Sequence, residues 1–166
     1  SVQFVNRYVE LRHDTAAWTL NARAQGYQVI DNTLAAEDEP YRIAPQLTAL
    51  GRWRDFAGGL SGSVFAEATN FQRELGPQGV RLDAEPSLEW RVDRNGGFVA
   101  AGAAYRYTQY LLDETAPDAD DAPDRSLPSA SLDAGFTMER ASGSQGTRVQ
   151  TLEPRAFYVY VPYRDQ

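Results

Sequence analysis

Apolar and polar residues alternate one for one along most of this chain, in runs too long for an ordinary globular sheet. Over residues 80–93 the even positions are Val80, Leu82, Ala84, Pro86, Leu88, Trp90 and Val92. The odd positions are Arg81, Asp83, Glu85, Ser87, Glu89, Arg91 and Asp93. Successive side chains of a strand point to opposite faces, so this segment carries one apolar face and one polar face. Residues 127–140 repeat the pattern, with Pro128, Ala130, Leu132, Ala134, Phe136 and Met138 against Ser129, Ser131, Asp133, Thr137 and Glu139. Trp18, Leu20, Ala22 and Ala24 alternate with Thr19, Asn21, Arg23 and Gln25, and Leu60, Val64, Ala66 and Ala68 with Ser61, Ser63, Glu67 and Thr69. Helical spacing fits none of these runs.

The runs predict an all-β chain of about eight long strands, near 2–13, 16–30, 41–52, 57–71, 79–93, 98–112, 127–140 and 148–161. Strands of globular proteins are usually about 5–6 residues long. A tilted strand crosses a bilayer in about 9–11 residues, so these runs are long enough to cross one and project beyond it. Predicted connections alternate in length. Short ones fall at His13-Asp14-Thr15, at Arg54-Asp55-Phe56, at Arg94-Asn95-Gly96-Gly97 and, somewhat longer, at 141–147. Long ones fall at 31–40, 72–78 and the acidic, proline-rich stretch 113–126. Short connections force sequence neighbours to pair antiparallel, which predicts an up-and-down meander. Tight turns at one end and long loops at the other match a transmembrane β-barrel.

Aromatic placement fits the same architecture. Trp18, Trp53 and Trp90 fall on the apolar phase, each close to a short turn, as in an interfacial girdle. Tyr41, Tyr107, Tyr158 and Tyr160 share that phase, and Tyr158 and Tyr160 join the tryptophans as candidate lipid-facing girdle residues. The competing fold is a soluble, carbohydrate-binding β-sandwich whose aromatics fill its core. A porin-like passive channel segment would show the same alternation.

Several function classes drop out. The 166 residues carry 23 acidic and 16 basic side chains, a net charge of −7, so a nucleic-acid partner is not expected. Every basic residue is arginine. Without cysteine there is no disulfide, thiolate metal site or cysteine nucleophile, and a single histidine leaves no multi-histidine metal site. Mean hydropathy is −0.51, and no apolar run is long enough for a spanning helix. Ser1 leads into mixed polar sequence, unlike a signal peptide. His13-Asp14 reads as turn chemistry, since no nucleophile elbow accompanies it. Asp118, Asp120, Asp121 and Asp124 lack the glycine and closing glutamate of a calcium loop. Gly58, Gly59 and Gly62 precede no Lys-Ser/Thr, so they form no phosphate loop; they suit a crowded barrel wall. Neither an enzyme, a cofactor nor a metal is expected. Pro45, Pro86, Pro128 and Pro154 recur within predicted strands, where each removes a ladder donor and implies weakening or bulging.

The remaining constellation is charged. Arg81, Asp83, Glu85, Glu89 and Arg91 lie on the polar phase of one strand, and Arg106, Asp133, Glu139, Glu153 and Arg155 come from later ones. In a barrel that phase faces the lumen, where neighbouring strands can pair opposite charges. The candidate lumen-facing residues are Arg81, Asp83, Glu85, Glu89, Arg91, Glu153 and Arg155, which fit a wet, self-satisfied wall at least as well as a binding role.

The run Gln150-Thr151-Leu152-Glu153-Pro154-Arg155-Ala156-Phe157-Tyr158-Val159-Tyr160-Val161-Pro162-Tyr163-Arg164-Asp165-Gln166 closely resembles a signature of the LptD family, the lipopolysaccharide-assembly proteins once called organic-solvent-tolerance proteins. Pro40-Tyr41-Arg42-Ile43-Ala44-Pro45-Gln46-Leu47 resembles a recurring strand of that family, and Arg81-Leu82-Asp83-Ala84-Glu85-Pro86-Ser87-Leu88 fits the strand that follows. The resemblance covers roughly 40–166. It implies a large barrel in the bacterial outer membrane, preceded by a periplasmic jelly-roll and filled by the lipoprotein plug LptE. It also implies a cargo of lipopolysaccharide, received from a periplasmic bridge protein and released into outer-membrane lipid through a lateral seam. Contact of the candidate lumen-facing residues with a plug or a saccharide is likewise what the resemblance implies. The chain departs from the family's pattern in lacking the jelly-roll, the disulfide cysteines and a terminal aromatic. Residues 1–166 are therefore expected to be an internal barrel segment away from the seam.

Overall fold

The computed structural model describes residues 4–30, 40–113, 120–142 and 148–163, all in strands, turns and extended connections. The strands are β1 (Phe4–Asp14), β2 (Trp18–Val29), β3 (Arg42–Ala57), β4 (Leu60–Gln72), β5 (Gln78–Arg94), β6 (Gly97–Asp113), β7 (Asp124–Phe136), β8 (Met138–Ser142), β9 (Arg148–Leu152) and β10 (Arg155–Tyr160). An eight-stranded antiparallel sheet has the order β1-β2-β3-β4-β5-β6-β7-β10, and β8 and β9 form a separate two-stranded sheet. Up to β7, each strand of the large sheet lies beside its sequence neighbours, as the short connections predict.

Each tight turn has a local cause. Between β5 and β6 the two-residue turn is Asn95-Gly96, with φ of 46° and 75°, the left-handed pair that matches the twist of a hairpin. Between β3 and β4 it is Gly58-Gly59, with φ of 56° and 89°. The expected turn at Arg54-Asp55-Phe56 is thus displaced, and β3 runs on to Ala57. Asp55, itself at φ 43°, prepares the true turn: its Oδ1 accepts from the Gly59 amide at 2.7 Å. Between β1 and β2, the Thr15 amide donates to the Trp18 carbonyl at 2.7 Å and the Thr15 hydroxyl oxygen accepts from the Trp18 amide at 3.0 Å.

Two of the expected strand prolines interrupt ladders. Strand 127–140 breaks at Thr137 and strand 148–161 at Glu153-Pro154, so the last predicted hairpin divides into β7/β10 and β8/β9. Pro154 has no N–H to continue the ladder. Its carbonyl still accepts from the Phe136 amide at 3.2 Å, while the Thr137 amide donates to Gly96 of the β5–β6 turn at 2.8 Å. In β3 the register to β2 slips by one residue: Arg23 faces Gln46, but Gln25 faces Ile43. The extra residue falls at Ala44-Pro45, a β-bulge at a position that offers no donor. Because side-chain direction has period two, the bulge inverts the faces on its far side. Tyr41 consequently does not share the apolar phase, contrary to the alternation count. Its ring meets Phe71 edge-on at 6.1 Å and its hydroxyl donates to the Pro77 carbonyl at 3.0 Å.

Burial is inverted relative to a water-soluble sheet. Apart from the glycines Gly51 and Gly135, the buried residues among those described are Thr69 at 1%, Ala100 at 5% and Asp83 at 6%, and all three lie on the polar phase. On the apolar phase Leu88 is 55% exposed, and Leu11, Leu20, Leu47, Leu82 and Leu132 are exposed with it. Large apolar side chains of the apolar phase are thus exposed while Thr69 and Asp83 are enclosed, the reverse of a β-sandwich whose apolar residues fill its core.

Candidate functional site

The contacts divide into two units. One comprises Ser1–Arg52, Ser63–Pro86 and Arg106–Ser126; the other comprises Trp53–Gly62, Ser87–Tyr105 and Leu127–Gln166.

In the first unit, β3 to β6 bring charged side chains together on the polar phase. The Glu67 carboxylate of β4 is the hub. It accepts from Gln46 Nε2 of β3 at 3.1 Å, from the Thr69 hydroxyl at 3.0 Å and from the Arg81 guanidinium of β5. The Asp83 carboxylate of β5 receives a fork from Arg106 of β6, with Nε at 3.0 and 3.1 Å from its two oxygens, and the Thr108 hydroxyl at 3.2 Å. Glu85 lies 3.9 Å from the same guanidinium. These are cross-strand pairs, which strand alternation places side by side. Rings complete the surface: Arg81 lies 5.4 Å over Phe71, Arg73 lies 4.7 Å over Tyr41, and Arg23 lies 4.6 Å over Tyr8. At the β1–β2 turn, Arg12 Nε donates to Asp14 at 2.8 Å and the Thr19 hydroxyl does so at 2.8 Å. The Arg12 guanidinium, followed by the Thr19 hydroxyl, holds the Asp14 carboxyl below the usual carboxylate range. Asp14 is therefore the last residue of β1, bonded to Arg12 and Thr19, and the turn bonds expected of it are made by Thr15.

The second unit is organised around Phe98 of β6. Arg91 lies 3.9 Å over its ring and Arg155 5.8 Å from it. Arg91 forks onto Asp93 at 2.9 and 2.7 Å, and Arg155 Nε reaches Asp133 of β7 at 2.8 Å. Gly135 makes room for the ring, since a Cβ there would sit 2.8 Å from Phe98 Cε1. Crowded wall positions are therefore Gly135 and Gly102, where a Cβ would sit 2.7 Å from Ser131 Oγ, whereas Gly58 and Gly59 serve the turn. Gly62 lies on the apolar phase, where a Cβ would meet Leu88 and Phe56 at 3.4 and 3.5 Å.

Of the seven predicted polar-phase residues, Arg81, Asp83 and Glu85 join the first network and Arg91 and Arg155 the second. Glu89 and Glu153 enter no ion pair among the described residues, and Glu153 falls in the break between β9 and β10. Counting charges within one strand missed Glu67, Gln46, Thr69 and Thr108, whose importance depends on register. It missed Phe98 as well, although the two-residue turn at Asn95-Gly96 puts it opposite Asp93 by counting. The expected girdle residues Trp18, Trp53, Trp90, Tyr158 and Tyr160 are all more than a third exposed. Tyr158 and Tyr160 pair with Leu132 and Ala130, which places both on the apolar phase. No group of three metal-ligating side chains occurs among the described residues; Asp118 lies outside them.

The family model described as "LptD: LPS transport system D" matches residues 1–166. The chain is 34% identical over 169 residues to the LPS-assembly protein LptD of Nitrosococcus oceani, covering 100% of this chain and 23% of that protein. It is 40% identical over 162 residues to the LptD of Alkalilimnicola ehrlichii, covering 94% of this chain and 21% of that protein. Against the LptD of Thiobacillus denitrificans it is 37% identical over 169 residues, again with 100% and 23% covered. The chain thus spans less than a quarter of the length of these relatives. With strands, polar-phase networks and whole-length family match in agreement, the chain belongs to the LptD family.

Proposed function

We propose that this sheet is part of the wall of an outer-membrane barrel that assembles lipopolysaccharide into the outer leaflet. The apolar phase meets lipid, and the polar phase lines a hydrated lumen. A lipoprotein plug of the LptE kind and the saccharide of the cargo meet that lumen wall, and a periplasmic bridge delivers cargo to a part of the protein outside these residues. One observation carries this reading: burial is inverted, with Asp83 and Thr69 among the most enclosed side chains while Leu88 and Trp90 stand open. In water such a face would be a large apolar patch, and in a bilayer it is satisfied. Trp18, Trp53 and Trp90 then sit near the headgroups at the short-turn end. The strands are a wall and carry no catalytic machinery.

The test is photo-crosslinking in the full-length protein, with the crosslinker at Glu85, Glu89 or Leu88 in turn. Adducts to the plug or the saccharide are expected from the two glutamate positions and lipid adducts from Leu88. Saccharide or plug adducts from Leu88 with none from Glu85 and Glu89 would mean that the two faces are assigned backwards.

A further inference from the structure

The arginine–carboxylate pairs on the polar phase share an asymmetry. In three cross-strand pairs the carboxylate is the more enclosed partner: side-chain exposure is 4% for Asp83 against 51% for Arg106, 12% for Glu67 against 31% for Arg81, and 15% for Asp133 against 64% for Arg155, while Glu85, the second and longer contact of Arg106, is 41% exposed. A group moving along this face meets guanidinium first. Yet the forks of Arg106 and Arg155 already point into the carboxylates of Asp83 and Asp133. Stability is a poor reason for the outermost pair, because an ion pair with so exposed an arginine contributes little.

We propose that Asp83 and Asp133 are masking residues, which occupy the arginine forks so that the phosphate groups of a passing glycolipid are not captured. The inference rests on the reading of this face as a lipopolysaccharide path and assigns it a specificity. Guanidinium binds carboxylate and phosphate through the same two-donor geometry, so one excludes the other. A tethered carboxylate competes at high effective concentration against a cargo that arrives from outside. Pairing also cancels the net charge that would draw phosphate from a distance. A conduit needs this, since a ligand that must leave again has to be held weakly. Arg23 is covered in another way, by the ring of Tyr8. The excess of acidic over basic residues, 23 to 16, points the same way.

The experiment uses the full-length protein with its co-purifying partners, supplied with lipopolysaccharide or with the same lipopolysaccharide enzymatically dephosphorylated. A photo-crosslinker at Ser87 reports on Asp83→Asn, and one at Glu89 reports on Asp133→Asn. Each substitution is expected to raise adducts with the phosphorylated cargo by about tenfold, the worth of one charge-assisted fork. Adducts with dephosphorylated cargo should stay at the wild-type level. Adding Arg106→Gln to Asp83→Asn should return the yield to wild type. Asp133 and Arg155 are near the surface, so that variant keeps the test valid if loss of the enclosed Asp83 carboxylate disturbs folding. Unchanged yields in both variants, or equal rises for both cargoes, overturn the masking role. So does a lower wild-type yield on Arg106→Gln alone, which would show that the arginine already grips the cargo. Absence of cargo adducts from every polar-phase position overturns the path itself, a failure distinct from that of masking alone.

Discussion

Replacing an apolar-phase residue of β5 with arginine should destabilise the protein in proportion to its depth in the membrane. In the proposed wall Trp90 marks the girdle at the short-turn end; Leu88 lies two positions along the strand from it, and Ala84 six. Each residue adds about 3.4 Å along a strand, and a tilt of about 40° converts this to about 2.6 Å of height. Leu88 then stands about 5 Å above the girdle and Ala84 about 16 Å, in an apolar band about 25 Å tall. Ala84 is the closer to the midplane. Ala84→Arg should cost about 3 kcal/mol, Leu88→Arg about 1–2 kcal/mol, and Ser87→Arg, on the polar phase, less than about 1 kcal/mol. Urea titration of the full-length protein refolded into lipid vesicles measures all three. If Ser87→Arg costs as much as Ala84→Arg, the faces are wrongly assigned. If Leu88→Arg costs more than Ala84→Arg, the girdle height is wrong.

Other outcomes can be checked in the same titration. Gly59→Ala should cost about 2 kcal/mol or more, since a Cβ there would sit 2.1 Å from the Arg91 carbonyl oxygen at a φ of 89°, whereas Gly58→Ala, in open space, should cost about 1 kcal/mol. Asp83→Ala should cost about 1–3 kcal/mol because it strands the Arg106 fork and the Thr108 hydroxyl, while Asp133→Ala should cost less than about 1 kcal/mol at its more exposed pair. Tyr41→Phe should lose about 1 kcal/mol with the hydrogen bond to the Pro77 carbonyl, and an unchanged midpoint would place the Tyr41 hydroxyl in solvent.

Strand identity and the two faces were legible in the sequence because period two is a local property, visible in 80–93 without knowledge of any partner strand. Errors arose where one residue is added to a strand. At Ala44-Pro45 the count of alternation continues through a bulge that reverses it, and Tyr41 changes face; proline there signals trouble but not its sign. At Asp55 a left-handed residue sits inside β3, so Arg54-Asp55-Phe56 resembles a turn that Gly58-Gly59 makes. The networks were half legible. Arg81, Asp83 and Glu85 stand out in a single strand, but Glu67 gains its role only when register sets it beside Arg81 and Gln46. Phe98 was accessible by parity, since a two-residue turn fixes which positions of β6 share a face with Arg91.

The use of arginine alone follows from what the polar phase asks of a cation. Several positions on that phase hold a carboxylate across a strand gap, as Arg106 holds Asp83 and Arg155 holds Asp133, or lie over a ring, as Arg91 lies over Phe98 and Arg23 over Tyr8. A planar fork does both, and its weak hydration lets it do so at a half-dry surface. Lysine would offer a hydrated point charge that satisfies one oxygen and leaves the second without a donor. The rings beneath the guanidiniums are aromatic residues on a face that alternation alone would reserve for polar ones. Their presence means that the polar phase is a layered surface, with rings and carboxylates below and guanidinium edges above. Under the proposed placement the apolar phase needs no such order, because hydrocarbon would make no directional demand on Leu82, Leu88 or Leu132. The forks and ring contacts are therefore gathered on the phase where Asp83 and Thr69 are enclosed, and an exchange of arginine for lysine is not conservative there.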